Sequence, residues 1–246
     1  MTGQGTDQLP APVEQSLAAF VEAAKGAFDS DLVSVVLFGS AAEGKLRATS
    51  DVNLLLVLKR FERARADALR EPLRVAHAAV QLNAMFVLED EMAAANEAFA
   101  VKFADIQARH RVLFGSDPFE RLGTSRDALV RRLKQVLLNL QLRLRERYVM
   151  VSLREEQLAR VIADAASPLR ASAASLLQLE GRPAESPKAA LGQLVGELGD
   201  ARLKGVLDDI SAAREAAEFE PGQAAATLMC LIELTQRLRE RVERVQ

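Results

Sequence analysis

Residues 35–58 read VVLFGSAAEGKLRATSDVNLLLVL. Two apolar runs, Val33–Phe38 and Val52–Leu58, flank a polar stretch. Near-continuous apolar runs of this length are what strands covered on both faces require. The pattern predicts two strands joined by a polar turn that starts a short helix. The first strand delivers Gly39-Ser40, and Ser50-Asp51 leads into the second. A Gly-Ser pair at a strand end, followed by an Ala-rich turn, presents backbone N–H groups to a phosphate. An aspartate at the head of the neighbouring strand is placed to hold Mg²⁺ against that phosphate.

At these residues the chain resembles the nucleotidyltransferase superfamily, with its polymerase-β-like fold. The family motif is a hydrophobic strand, Gly-Ser, a spacer of about ten residues, then Asp-hydrophobic-Asp/Glu-hydrophobic. Phe38-Gly39-Ser40, the spacer 41–50 and Asp51-Val52-Asn53-Leu54 follow that template without a gap. The minimal and aminoglycoside nucleotidyltransferases are the most similar group. Ala42, Gly44, Arg47 and Ser50 fall where its members commonly carry the same residues. The resemblance implies that Gly39, Ser40, Arg47 and Ser50 bind a nucleoside triphosphate, ATP or another NTP. It implies Mg²⁺ at Asp51 and position 53, and transfer of a nucleoside monophosphate to a hydroxyl of a small molecule or protein.

The chain departs from the family at its second carboxylate, which is Asn53. Residues two apart on a strand point to one side, and the family uses two such acids to hold two metal ions. A third carboxylate comes from a later strand. The candidate here is Ala79–Leu88, whose polar positions are Gln81 and Asn83, with Met85 at the third position in another register. The charge of three carboxylates thus shrinks to that of Asp51. Amide oxygen is a neutral, weaker ligand for a hard cation, and in-line displacement needs both attacking and leaving oxygens clamped. Glu43 either supplies a replacement charge or weakens phosphate binding, since the family often has a basic residue there. The expected protein is a nucleotidyltransferase fold with a degenerate DxN site that binds a nucleotide or a protein partner. The alternative is an active Mg²⁺-dependent transferase, with Asp51 on the metal and Asn53 a weak ligand.

Composition bounds these readings. Hydrophobic residues make up 49% of the 246 residues and charged ones 27%, a globular balance. A net charge of −2 and an aromatic content of 4% give no basic surface and no stacking platform for nucleic acid. The single Cys230 fits a reducing compartment. No apolar run reaches membrane-span length, and the opening MTGQGTDQLPAP lacks a signal-peptide layout. A cytoplasmic protein is expected.

Around the motif, helical spacing covers Val13–Ala27 and Phe61–Ala78, the latter with a break or kink expected near Glu71 because of Pro72. Lys59, Arg60 and Arg47 read as solvated charges or as triphosphate contacts. Glu89-Asp90-Glu91 starts a helix reaching about Arg111. A second Phe114-Gly115-Ser116 follows in a turn-rich exit segment. The domains are expected to be 1–118, a small mixed-sheet nucleotidyltransferase-like unit, and 119–246, an all-α up-and-down bundle; the class is α+β.

In the second domain, Leu129, Leu133, Val136, Leu140 and Leu144 form an apolar stripe that Leu138 and Leu142 widen, with Thr124 or Ser125 as cap. Further helices are expected at 155–179, kinked or split at Pro168, and at 188–198, 202–218 and 222–245. In the last, Leu228, Ile232, Leu238, Val242 and Val245 give a near-heptad seam. Such a seam supports a homodimeric scaffold as a further alternative. The family resemblance implies that the bundle shapes the acceptor site and dimer. Related bundles that cleave RNA carry an Arg and a His a few residues apart, and residues 119–246 contain no His. His77 and His110 lack a second ligand at metal spacing and read as surface or packed residues. Cys230 reads as an inert packed thiol.

Overall fold

A computed structural model describes residues 9–46, 50–120, 122–123, 125–215 and 219–245. The fold is α+β. The first helix, α1 (Ala11–Phe28), precedes β1 (Leu32–Phe38). A three-residue 3-10 turn, Gly39–Ala41, leads toward β2 (Val52–Leu58). Helix α2 (Arg63–Val80) crosses to β3 (Leu82–Leu88). Then come α3 (Met92–Ala98), α4 (Ala100–Ala108) and β4 (His110–Gly115). Five helices follow: α5 (Arg126–Val151), α6 (Glu155–Leu179), α7 (Pro187–Leu198), α8 (Ala201–Arg214) and α9 (Gln223–Glu243). The chain divides into two compact units, Met1–Ala98 with Phe103–Thr124, and Phe99–Lys102 with Ser125–Gln246.

The sheet is mixed, in the order β3-β2-β1-β4. β1 runs antiparallel to β2 and β4, while β2 and β3 are parallel in unbroken register from Val52↔Leu82 to Leu58↔Leu88. Both faces are covered, which is why the central strands are apolar apart from Ser34 and Asn53. Val35, Leu37, Leu54, Leu56 and Leu82 pack with the α1 residues Phe20, Ala24 and Phe28 and with Leu69 of α2. Val36, Phe38, Leu55 and Val57 pack on the other face with Met92, Phe103, Ile106 and Phe119.

β4 is a correction to the sequence reading, which ran a helix to about Arg111 and a turn beyond it. An edge strand exposes a row of unpaired N–H and C=O groups. β1 has such an edge on the side away from β2, and residues 110–115 pair with it. Gly115 makes that approach possible: its φ is +77°, and a Cβ there would lie 1.9 Å from the Val33 carbonyl oxygen. The expected breaks at the internal prolines also do not divide their helices. Pro72 lies inside α2 and Pro168 inside α6. Each proline removes one N–H, while burial of the helix face holds the remaining turns.

Arg60, read as a solvated charge or a triphosphate contact, is exposed and meets the buried Asp31 at 3.2 Å; Arg65 approaches the same carboxylate at 3.5 Å. This pair sits at the far end of β2 from Asp51, about 20 Å along a strand of this length.

In the helical unit, Ser125 caps α5 by accepting from the Ala128 N–H, and Ser186 caps α7 ahead of Pro187. Thr124, the other cap candidate, lies outside the described residues. The buried stripe of α5 is Leu129, Leu133, Leu137, Gln141 and Leu144, whereas Leu138 and Leu142 are exposed. In α9, Leu228, Leu231, Leu234, Leu238 and Val242 are buried, while Ile232 and Val245 are half-buried. A 3.6-residue helix drifts off a strict heptad in this direction. Arg241 joins Glu180 at 2.6 Å and Glu197 at 2.7 Å, tying α9 to the C-terminal ends of α6 and α7. Hydrogen bonds from Arg182 and then Arg241 hold the Glu197 carboxyl down at about 2.

Gly115→Ala should lower the stability of the N-terminal unit by roughly 3 kcal/mol, since it combines a left-handed φ with a backbone clash. An unchanged urea midpoint for that unit would contradict this. Gln141 is 1% exposed, and neither its amide N nor its amide O has a hydrogen-bond partner among the described residues. Replacing such a group with an apolar one of similar size removes a desolvation cost. Gln141→Leu should therefore stabilise the helical unit by about 1 kcal/mol and raise its thermal midpoint by a few degrees; a lowered midpoint would refute the assignment.

Candidate active site

The register of the sheet brings four side chains into one row at the end of β1. Phe38 pairs with Asn53 on one side and with His110 on the other, and Asn53 pairs with Asn83. Directly paired residues share a face, about 4.8 Å apart from strand to strand. The row therefore reads Asn83, Asn53, Phe38, His110. It lies on the face that Phe38, Leu55 and Val57 turn toward Phe103 and Phe119. Asp51, two residues before Asn53 and just outside β2, is exposed; Asn53 is half-buried and Asn83 exposed.

Among the three residues that sequence spacing left open for the third motif position, Asn83 stands beside Asn53. Gln81 precedes β3 as the left-handed cap of α2, with φ 52°. Met85 is one step further in, beside Leu55, and packs with the core on that face. The two asparagines make the same local contact. Asn53 Nδ2 donates to the Asp51 carbonyl and Asn83 Nδ2 to the Gln81 carbonyl, each at 3.4 Å. A carboxylate has no proton to donate in that geometry. The row thus holds two amides where two negative charges would be needed, and Asp51 is the one carboxylate of the motif. Among the described residues no group of three or more His, Cys, Asp or Glu is placed to hold a metal ion. This donor set does not fit a pair of Mg²⁺ ions, which need charged oxygen ligands.

The Gly39–Ser40 turn is a single 3-10 turn, too short for a helix dipole. Gly39 has φ +78°, a backbone conformation that suits glycine. Its N–H donates to the Arg109 carbonyl at 3.1 Å, so this group is used within the protein. The Ser40 carbonyl accepts from the Lys45 N–H at 2.9 Å, which closes the turn. Ser50 is buried. Arg47 lies outside the described residues.

Arg109 was missed by sequence reading, because it fell on an assumed helix; His110, read as a surface or packed residue, is half-buried and begins β4. Arg109 pairs with Asp105 at 2.6 Å and with Glu43 at 2.9 Å. Burial acts to lower its pKa, but hydrogen bonds and charge from Asp105 and Glu43 outweigh this and push it above the ordinary arginine value. Glu43, expected either as a replacement charge or as a hindrance to phosphate, is thus engaged in an ion pair. His110 Nδ1 lies 3.0 Å from the Gln107 carbonyl and Nε2 lies 3.1 Å from Asp117. With both ring nitrogens engaged, His110 has no free atom for general-base work. His77 Nδ1 sits 3.0 Å from the Leu82 carbonyl, where α2 meets β3. The signal for this region was the apolar run Val112–Phe114 ahead of Gly115, a short strand pattern bounded by glycine.

Residues 19–109 match the family model described as the nucleotidyltransferase domain. The N-terminal unit is a nucleotidyltransferase domain of the polymerase-β-like fold. No curated protein matches the chain. Among solved structures, spectinomycin adenyltransferase AAD(9) from Enterococcus faecialis, crystallised with ATP and spectinomycin, is similar in fold. The identity is 12% and the TM-score 0.64, and the match covers 94% of this chain and 99% of that one. The likeness therefore extends from the nucleotidyltransferase domain into the helical unit. No helix among the described residues is long and apolar enough to cross a membrane.

Proposed function

We propose that this nucleotidyltransferase-fold protein binds a nucleoside triphosphate at the Gly39–Ser40 turn, and that its transfer chemistry is degenerate. The pairing of Asn53 with Asn83 carries this reading. Two neutral amides side by side bring no negative charge to balance metal ions, and each amide nitrogen is turned to a carbonyl of its own chain. In this reading Gly39 and Ser40 shape the phosphate end of the site, the buried Ser50 leads into β2, and Asp51 remains as the one carboxylate of the motif. The similarity to an ATP-bound adenyltransferase supports ATP as the nucleotide to test first.

Titration of ATP by calorimetry, with Mg²⁺ and then with EDTA, tests the reading. Binding of similar strength in both conditions is expected. The Asn53→Asp/Asn83→Asp variant restores two adjacent carboxylates and should make binding depend on Mg²⁺, with a loss of about tenfold or more in EDTA. Strong Mg²⁺ dependence in the unaltered protein would overturn the degenerate site.

The exposed Asp51 favours a second reading, an active Mg²⁺-dependent transferase that moves a nucleoside monophosphate from ATP to a hydroxyl of a small molecule or protein. This reading requires that Asp51→Ala abolish formation of a nucleotidylated product, measured with radiolabelled ATP. Transfer that survives the substitution would dispose of it.

A further inference from the structure

Arg109 reaches the Gly39–Ser40 turn twice. Its carbonyl accepts the Gly39 N–H at 3.1 Å, and its Nη1 donates to Glu43 Oε2 at 2.9 Å. Lys45 Nζ stands 3.4 Å from the other Glu43 oxygen. The Glu43 carboxylate is therefore bracketed by a guanidinium and an ammonium, one on each oxygen, beside a glycine turn. The Glu43 and Arg109 side chains are only 18% and 19% exposed, so water screens the pair weakly. Asp105 occupies the other edge of the guanidinium, taking Nε at 3.0 Å and Nη2 at 2.6 Å. One edge of Arg109 is thus pinned, and the Nη1 edge is the exchangeable one. A guanidinium and an ammonium flanking an oxyanion match the recognition of a terminal phosphate group. In this protein the chain's own carboxylate fills that place.

We propose that Arg109 is a polyphosphate-contacting residue and that Glu43 is an internal competitor that caps it. The terminal phosphate of a nucleoside triphosphate takes the place of Glu43 at Arg109 Nη1 and at Lys45, while Asp105 keeps the guanidinium in position. This rests on the reading that the Gly39–Ser40 turn receives a triphosphate. It goes further in assigning the cation that meets the phosphate and a built-in restraint on affinity. Binding must first part the Glu43–Arg109 pair, and the freed carboxylate then repels the incoming anion. Both costs fall when Glu43 loses its charge.

Glu43→Gln tests the assignment, because the amide keeps the side-chain shape and still accepts a hydrogen bond from Arg109. The dissociation constants of ATP and of inorganic triphosphate should both fall about tenfold, as expected for removing one like charge close to a polyanion. Adding Arg109→Gln to that variant should cancel the gain, with thermal melting of each variant reporting that the fold is retained. Tightening in Glu43→Gln alone, from no detectable binding in the unaltered protein, also supports the proposal. If the unaltered protein binds ATP and Glu43→Gln binds it no tighter, the proposal fails while the nucleotide reading stands. If neither binds, both fail. A gain for ATP without a gain for inorganic triphosphate overturns the proposal, since it places the effect at the nucleoside.

Discussion

The register of β2 governs the candidate site. This strand is held antiparallel to β1 on one side and parallel to β3 on the other. A strand alternates its side chains with a period of two, so a slip of one residue would send Asn53 to the opposite face and replace it with Val52 or Leu54. What prevents the slip is burial on both faces: Leu54, Leu55, Leu56 and Leu58 are each 0% exposed. The same pairing that fills the core also fixes which polar residues stand in a row at its end. The position of this row is thus set by core packing.

Within that fixed geometry the chemistry turns on single atoms. Asparagine and aspartate have nearly the same shape, so Asn53 and Asn83 occupy their places without disturbing a strand. They differ in charge and in the direction of the hydrogen bond. An amide nitrogen donates to the nearby carbonyl, whereas a carboxylate oxygen there would face another oxygen and would need a cation between them. Each asparagine thus satisfies one of its amide hydrogens within its own strand end. Arg109 adds a second self-contained arrangement. Its positive charge, which would attract a polyanion, is already matched by Asp105 and Glu43. Both features lead to the same physical picture, a nucleotidyltransferase frame whose polar groups satisfy one another.

The helical unit is built on different terms. Three of its helices, α5, α7 and α8, begin at side-chain caps on Ser125, Ser186 and Asp200, and the helices pack through leucine- and alanine-rich stripes. Gln141 interrupts the stripe of α5 with a buried amide that has no partner among the described residues, a defect that the surrounding apolar burial is large enough to carry. The ion pairs of Arg241 with Glu180 and Glu197 join segments far apart in the chain, though their partial exposure keeps their individual contribution modest.

Local patterning made much of this molecule legible from the sequence alone. The runs Val33–Phe38 and Val52–Leu58, the Gly39-Ser40 spacing to Asp51, and the long helices of the second unit are all set by neighbours within a few residues. Their periodicity and caps therefore identify them directly. The replacement at Asn53 was equally plain, because it lies inside a motif of fixed spacing. What only the tertiary structure decided are the contacts between segments remote in the chain. That 110–115 is a strand follows from the free edge of β1, which the short apolar run Val112–Phe114 does not by itself reveal. That Asn83 stands beside Asn53, that His110 joins their row, and that Glu43 meets Arg109 across 66 residues follow from strand pairing and helix placement. The physical reason is that periodicity reports which face a residue turns, whereas register and edge pairing depend on a partner that the local sequence does not name.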